Sequence, residues 1–372
     1  MSIYHWLVIL LLLLAVFMRG DLKGNKQYIV LAMLLMFCVH SLRDGATIGN
    51  DSRTSYRWQY IRMGETEWQD LRGLDDWRDS FTDDTRSNRE RNIALPWLMK
   101  LVYQLSDGNY QWFLAVVAAI VLSALAITIQ RYSPSPVLSI LFYLGLLYFV
   151  MELSVFKQSI AMSFVLLSFT SIMERRPIRF VILILIGSLF HFPALVFLPA
   201  YWIANMKISR DYLLILAGLF IVTYLFRDRL VDLMTDSYDT EIQSVANKRF
   251  LANKVIIMLI IIVTALIVRP PDPEDRVYCA ILQLLGIAAV IQTFASYNNT
   301  FERLADYYFQ FAIIFIPMVF ERVDTKRAVF SANTLDLVHS YGPFVFGAFA
   351  IWRFLNNIVN DWHYYPFRFF WQ

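Results

Sequence analysis

Apolar runs of roughly 15 to 20 residues alternate with short polar breaks from Ile3 to the end of the chain. A helix needs about 20 residues to cross the hydrocarbon core of a bilayer, so this pattern predicts an all-α, polytopic membrane protein with about 10–12 transmembrane helices. We treat 1–372 as a single transmembrane domain. The predicted spans are 3–18, 27–42, 109–130, 136–151, 157–173, 211–226, 254–268, 277–295, 304–320 and 340–357.

Lys and Arg in short loops favour the cytoplasmic side, and they orient the chain. They fall in the polar breaks 19–26, 131, 175–179, 207–210, 269–276 and 322–327. Placing all six inside puts both termini outside and creates two external loops, at about 43–92 and 227–253. The first loop is followed by IALPWLMKLVYQL, which predicts an interfacial or half-buried amphipathic helix.

The segment 177–207 has basic residues at both ends and the tripeptide HFP in its middle. If both ends are cytoplasmic, the chain enters the membrane and returns, with a turn helped by Pro193. Two short spans and a re-entrant hairpin both fit. Either arrangement leaves His191 deep in the membrane or facing outward.

The composition narrows the functional classes. The chain is 58% hydrophobic and 17% charged, and its net charge of +3 is sorted by loop, which excludes a nucleic-acid surface. Cys38 and Cys279 both lie in apolar segments, where we expect small core residues rather than a disulfide. The first apolar run is followed, not preceded, by basic residues, so it reads as a retained span rather than a signal peptide.

Ionisable residues gather at the predicted outer ends of the spans. Arg43, Asp44, Lys157, His191 and Arg303 are the candidates. Snorkelling explains each of them singly, but their placement on one face of the membrane is typical of a substrate path, because intramembrane charge is costly. Outward-facing guanidinium and ammonium groups suit the phosphate or diphosphate of a lipid.

Other side chains complete this candidate site. Tyr307 lies four residues after Arg303, so the two share a helical face and can point at one ligand. The carboxylates of Asp44, Asp51 and Glu90 can accept a proton from a hydroxyl nucleophile or hold the arginines in place. His191 can act as a base or as a neutral hydrogen-bond donor.

Motifs of other chemistries are missing from the sequence. GATIGNDS lacks the spacing of a phosphate loop and a signal for a following helix, so Gly45 and Gly49 read as turn residues. No HExxH, GxSxG or Cys/His cluster with metal spacing occurs. We therefore expect no cofactor and no dedicated metal site, although the loop carboxylates leave room for a divalent ion.

Four stretches together resemble the EpsG-like branch of the bacterial Wzy-type polysaccharide polymerases. LRDGATIGNDSRTSY is similar to the family's loop after the second span, and FKQSIA to its (Arg/Lys)-Gln-x-(Ile/Leu)-Ala segment. The Phe-His pair at 190–191, the FERLADYYF segment and the aromatic tail HYYPF follow in the family's order. One departure is Lys157, which stands where arginine is usual and lacks its forked geometry.

The resemblance implies a GT-C-like membrane glycosyltransferase of the bacterial inner membrane, with its site facing the periplasm. Such an enzyme transfers a growing glycan from undecaprenyl diphosphate to the terminal sugar of another lipid-linked repeat unit. Its partners are the lipid-linked oligosaccharide, the bilayer and a chain-length regulator. On this basis, Arg43, Lys157 and Arg303 neutralise the diphosphate, Asp51, Glu90 or His191 acts on the acceptor hydroxyl, and Asp44, Tyr56, Gln158 and Tyr307 position these groups.

Three alternatives remain open at the level of sequence. A ligase that moves finished glycan from the same carrier needs the same cations and differs only in its acceptor. A flippase or exporter of lipid-linked oligosaccharide favours charges through both leaflets and internal repeats, and neither is visible in the sequence. A membrane acyltransferase built on His191 leaves the external arginines unexplained.

Overall fold

The computed structural model of the protein describes residues 2–18, 22–73, 92–238, 253–295, 299–321 and 332–372, which are helical with no strand among them. The predicted all-α class is therefore confirmed. The helices are α1 Ile3–Phe17, α2 Leu22–Ser41, α3 Arg57–Arg62, α4 Ala94–Leu105, α5 Tyr110–Tyr132, α6 Pro136–Gly145, α7 Tyr148–Glu152, α8 Phe156–Met173, α9 Pro177–Phe190, α10 Ala200–Ile203, α11 Arg210–Tyr238, α12 Asn253–Val268, α13 Arg276–Gln292, α14 Asn299–Phe309, α15 Ala312–Val319 and α16 Ala332–Val359.

Two of the described helices, α5 and α8, are long and apolar enough to cross a bilayer, judged by length and composition. Several other apolar helices are shorter, among them α1, α6, α9 and α13. Large apolar side chains face outward along α9 at Ile178, Ile182, Leu185 and Leu189. A helix stripe of this kind is compatible with contact with lipid, and the number of spans stays a prediction.

The described contacts divide the chain into two compact units. Unit 1 comprises Met1–Phe169, Ile178–Leu195 and Phe344–Gln372, and unit 2 comprises Thr170–Pro177 and Val196–Pro343.

In unit 1, α2 packs along α5, and α6 packs closely against α16 at a glycine. A Cβ atom on Gly145 would lie 2.5 Å from that of Ala350, so the two backbones meet only because Gly145 has no side chain. Arg353 also donates a hydrogen bond to the Gly145 carbonyl. Local signals fix the helix starts: the Asn109 side chain accepts from the N–H of Gln111 at 3.0 Å and caps α5.

The described part of the loop 43–92, which is predicted to be external, forms a packed layer of its own. Side chains of α3 and α4 bury one another against the start of α5, with Tyr60, Met63, Leu95, Met99 and Phe113 in the core. The amphipathic piece predicted after the loop is α4, and its Trp97 and Leu101 are exposed. This region is therefore ordered structure rather than a simple link between spans.

In unit 2, α13 packs between α12 and α14. Asp275 caps α13 by accepting from the N–H of Tyr278 at 3.1 Å, and its carboxylate also holds Arg269 at 2.7 Å. Arg269 also donates to the Met318 carbonyl at 2.6 Å. This basic loop is thus tied down by its own acidic and carbonyl partners.

Several predicted boundaries are wrong. The span 136–151 is divided into α6 and α7 by Leu147, whose φ of 68° is left-handed, and 304–320 is divided into α14 and α15. Hydropathy cannot detect such breaks, because the residues on both sides stay apolar. Helix α11 continues to Tyr238, so the predicted loop 227–253 begins later, and its residues 239–252 lie outside the described chain.

The structure also bears on the two cysteines and on the segment 177–207. Cys279 is buried and both cysteines are free, but Cys38 is exposed on α2, so the prediction of a core position is wrong for Cys38. An apolar segment of a membrane protein has an outward face as well as a core face, and sequence alone did not separate them. The segment 177–207 forms the single helix α9 and then, after His191, a 3-10 helix at Phe192–Phe197 and the short α10.

Candidate functional site in the loop after α2

The loop that follows α2 is held at both of its ends. At its start, the Gln111 side chain donates to the carbonyls of Ser41 and Arg43 at 2.7 and 2.9 Å. The Asp44 carboxylate then accepts from the N–H of Ala46 and the hydroxyl of Thr47, both at 2.9 Å, which closes a tight turn. The loop therefore has a defined conformation before it reaches Asp51.

Gly49 is the turn residue on which the loop depends. Its φ is +90°, and a Cβ atom there would lie 2.2 Å from the carbonyl oxygen of Leu153. Only glycine has room for both the conformation and the contact. The prediction of turn residues is confirmed at Gly49 and also at Gly45, which lies in the turn that begins at Asp44 and packs closely against the ring of Tyr110.

A helix follows this loop, although the sequence showed no signal for one. A π-helical turn at Ser52–Tyr56 leads directly into α3. Asp51 occupies the cap position of this turn, but its side chain makes no capping hydrogen bond. Its backbone N–H instead donates to the Ser154 hydroxyl at 3.1 Å, which ties the loop to the residues between α7 and α8.

Arg43 is fully buried at the beginning of this loop. Its guanidinium donates to the carbonyls of His40 and Leu153, the latter at 3.0 Å, and lies 5.7 Å from the centre of the Phe156 ring. Burial lowers the pKa of Arg43 to about 10, so the group keeps its charge at neutral pH. Arg43 therefore places a fixed positive charge under the loop.

A buried set of polar side chains surrounds this charge. The Glu152 carboxylate accepts from the Tyr143 hydroxyl at 2.7 Å, and its other oxygen lies 3.8 Å from Nε2 of His40. All three side chains are shielded from solvent. Burying several ionisable groups is costly, so this cluster marks a place where the chain keeps polar side chains in its interior.

Phe156 joins the loop after α2 to the start of α8. The Tyr56 ring stacks on Phe156 with centroids 4.7 Å apart, and Phe156 also lies under Arg43. Lys157 and Gln158 follow in the chain; Lys157 is half-buried and Gln158 is buried. The structure thus brings Arg43, Tyr56 and the Lys157–Gln158 pair, which are predicted from separate stretches of sequence, to one end of unit 1.

His191 lies between α9 and the 3-10 helix, and its side chain is half-buried. The N–H of the next residue, Phe192, donates to the side-chain oxygen of Asn92 at 2.8 Å. This bond brings Asn92, at the end of the loop 43–92, next to His191. Glu90, the third candidate acid or base, lies outside the described residues.

Arg303 and Tyr307 belong to unit 2, where both lie on α14. Arg303 is exposed, but Tyr307 is fully buried, so the two side chains do not share one open surface and their joint role stays a prediction. Beside them, the Lys254 ammonium contacts the buried Asp306 carboxylate and lies 3.2 Å from that of Glu302. This end of α14 is therefore charged but internally paired.

Sequence reasoning missed three contributors to the unit 1 cluster. His40, Glu152 and Phe156 sit at the ends of apolar runs, where they served only to mark where a span stops. The signal was present in Glu152, a carboxylate in the short break between two predicted spans, five residues before Lys157. Within the described residues, no group of three or more His, Cys, Asp or Glu side chains is placed to hold a metal ion.

Comparisons with known proteins bear on the identity of the chain. Neither the search of curated proteins nor that of solved structures found a match. A family model described as EpsG family matches residues 26–346, a range that includes every candidate site residue named above. The chain therefore belongs to the EpsG family, which indicates a membrane polysaccharide polymerase of the glycosyltransferase type.

Proposed function

We propose that this protein polymerises a lipid-linked glycan on the outer face of the bacterial inner membrane. It transfers the growing glycan from undecaprenyl diphosphate to the terminal sugar of another lipid-linked repeat unit. The observation that carries this proposal is the meeting of the loop after α2 with the start of α8 around Phe156. It gathers two of the cations that a diphosphate donor requires at one end of unit 1.

The reaction defines what the site must supply. The bond between the anomeric carbon and the diphosphate oxygen breaks, and the acceptor hydroxyl oxygen forms the new glycosidic bond. Negative charge grows on the departing undecaprenyl diphosphate, and the hydroxyl proton passes to a base or to water. Positive groups held in place before the reaction lower the energy of that charge.

The cations take different parts in this scheme. Arg43 is fully buried, so it acts through its field across a short, weakly screened distance rather than as an open clamp. Lys157 is half-buried at the start of α8, where its ammonium can meet a phosphate oxygen as a point charge. Arg303 is exposed on α14 and can bind a phosphate with its planar fork.

The remaining candidates act on the acceptor or hold the site in shape. Asp51, Glu90 or His191 orients or deprotonates the acceptor hydroxyl. Asp44 closes the turn of the loop, and Tyr56 packs on Phe156. Gln158 and Tyr307 are buried and support the helices that carry Lys157 and Arg303.

The wider proposal follows from the family resemblance. We place the protein in the inner membrane as a multi-pass, GT-C-like enzyme whose site faces the periplasm. It works on the lipid-linked oligosaccharide within the bilayer, alongside a chain-length regulator. No cofactor is required, and a divalent ion at the loop carboxylates is compatible with the mechanism.

The test is polymerisation by the purified protein in detergent. The substrate is an undecaprenyl-diphosphate-linked repeat unit, and the products are separated on a gel. We expect a ladder of lengths from the wild type and none from Arg303→Ala, because the leaving group then loses its forked partner. Arg176→Ala, which removes an exposed arginine from a predicted cytoplasmic loop, should leave the ladder unchanged.

The same experiment separates the alternatives. A ligase adds one finished chain to a different acceptor and gives a single shifted band. A flippase gives no new band, but moves a labelled lipid-linked oligosaccharide between the leaflets of a vesicle. An unchanged substrate with folded wild-type protein would rule out the polymerase.

A further inference from the structure

The C-terminal tail, residues 361–372, lies directly on the loop after α2. Arg43 and Phe369 form an isolated antiparallel bridge, in which the N–H of Phe370 donates to the Leu42 carbonyl at 3.0 Å. The N–H of Asp44 donates to the Arg368 carbonyl at 2.8 Å. The tail therefore reaches the backbone of two predicted site residues from more than 300 positions away in the chain.

A second set of contacts fixes the beginning of the tail. The N–H of Gly49 donates to the His363 carbonyl at 2.8 Å, and the Arg53 guanidinium lies 4.6 Å from the centre of the Trp362 ring. Tyr364 is buried, and its carbonyl accepts from the Tyr4 hydroxyl at 3.1 Å. The backbone of the tail is thus held both at its start and near its end.

The outward side of the tail is aromatic. Trp362, Tyr365, Phe370 and Trp371 are between 41% and 65% exposed. Trp371 lies parallel to Phe369, with ring centroids 4.5 Å apart and planes at 9°, so one of its faces is supported by a neighbour. Rings held in this way offer a large contact area at little cost in conformational entropy.

We propose that the tail is a binding surface for the substrate glycan, with Trp362 and Trp371 stacking against sugar rings beside the loop that carries Asp51. This proposal rests on the proposed function, since it names the part of the site that would grip the glycan. The C–H face of a sugar packs on an aromatic ring, and its hydroxyl groups need polar partners close by.

The polar partners favour a glycan over the bilayer as the occupant of this surface. The Arg53 guanidinium lies 4.6 Å and the His363 ring 3.9 Å from the Trp362 ring, which stays exposed, and Nδ1 of His363 is 2.6 Å from the Asp361 carboxylate. Charged and hydrogen-bonding groups therefore lie beside the exposed ring of Trp362, where the hydroxyl groups of a sugar can reach them.

The test measures binding of a water-soluble oligosaccharide to the full-length protein in detergent. The probe is the repeat unit released from its lipid by mild acid, and its Kd is followed by titration calorimetry. We expect the double variant Trp362→Ala/Trp371→Ala to bind about tenfold more weakly or worse. The variant Trp362→Phe/Trp371→Phe should stay close to the wild type, because it keeps both rings.

Trp202→Ala is the matched control, since Trp202 is exposed in unit 2 and carries no proposed role. Its Kd should not change, and all variants should share the melting temperature of the wild type. Unchanged binding in the double alanine variant, with weaker retention in vesicles, would overturn the proposal in favour of membrane anchoring. Loss of binding in the alanine variant supports it even if the wild type makes no ladder, a result that removes the polymerase proposal alone.

Discussion

The buried guanidinium of Arg43 has lost its contacts with water. It contacts two carbonyl oxygens and an aromatic ring instead, and the buried carboxyl group of Glu152 is nearby. Removing it leaves those buried carbonyls without their donor. We therefore expect Arg43→Met to lower the free energy of unfolding by about 2–6 kcal/mol, since each buried acceptor left without a donor costs about 1–3 kcal/mol. The apparent melting temperature of the purified protein in detergent measures this loss.

The control for this substitution is Arg62→Met, because Arg62 is exposed on α3 in the same external loop. Its melting temperature should match that of the wild type, since exposed charges contribute little. Arg43→Lys should fall between the two, because it keeps the charge but not the fork that reaches two carbonyls. If Arg43→Met melts like the wild type and yet makes no polymer, Arg43 serves the reaction rather than the stability of the fold.

Sequence reasoning proposed Arg43 as a site residue but misjudged its environment. A charged residue just after an apolar run reads as a group leaving the bilayer, whereas the structure buries it between α2 and α8. The burial depends on Glu152 and Phe156, which are more than 100 residues away. No local pattern carries such a contact.

At the scale of elements, the loop after α2 depends on the close packing of the Gly49 backbone against the Leu153 carbonyl. Gly49 has a φ of +90°, and its missing Cβ leaves room for the Leu153 carbonyl. We expect Gly49→Ala to displace the loop, because the strain of that conformation alone costs about 1–3 kcal/mol. The rate of polymerisation should fall by tenfold or more, on the order of what a small misplacement of reacting groups costs.

Gly347→Ala on α16 is the control for this change, because its nearest neighbour would be 3.5 Å away, an ordinary contact. It should keep its activity and gain slightly in stability from the better helix former. Normal polymerisation by Gly49→Ala, together with an unchanged melting temperature, would show that the loop does not need this conformation.

Helix type was predictable from apolar runs, but helix continuity was not. Leu147 divides α6 from α7 by taking a left-handed conformation, although leucine rarely does so and its neighbours are equally apolar. The break places Glu152 at the end of the short α7, where it can reach His40. A hydropathy pattern reports burial in lipid and carries no information about such a turn.

At the scale of the whole molecule, segments far apart in the chain meet at one end of unit 1. The N-terminal Tyr4 contacts the tail, the tail contacts the loop after α2, and Asn92 contacts Phe192. The assignment of basic loops predicts this end to face outward, and it predicted each of these segments on the same side. The sequence thus predicted that these segments lie on one side of the membrane. It did not predict that the tail pairs with the loop after α2, because no sequence pattern links two segments so far apart.

Sidedness is a property of the whole chain and can be measured with single cysteines. In a background where Cys38 and Cys279 are replaced by alanine, we expect Glu67→Cys and Gln372→Cys to react with an impermeant maleimide on intact cells. Pro134→Cys, in a short loop predicted to be cytoplasmic, should react only after the membrane is opened. All three positions are exposed, so a lack of labelling reports the membrane rather than burial. The reverse pattern would place the loop after α2 in the cytoplasm, where a glycan already on the outer leaflet cannot reach it, and the polymerase proposal would then fail on topology alone.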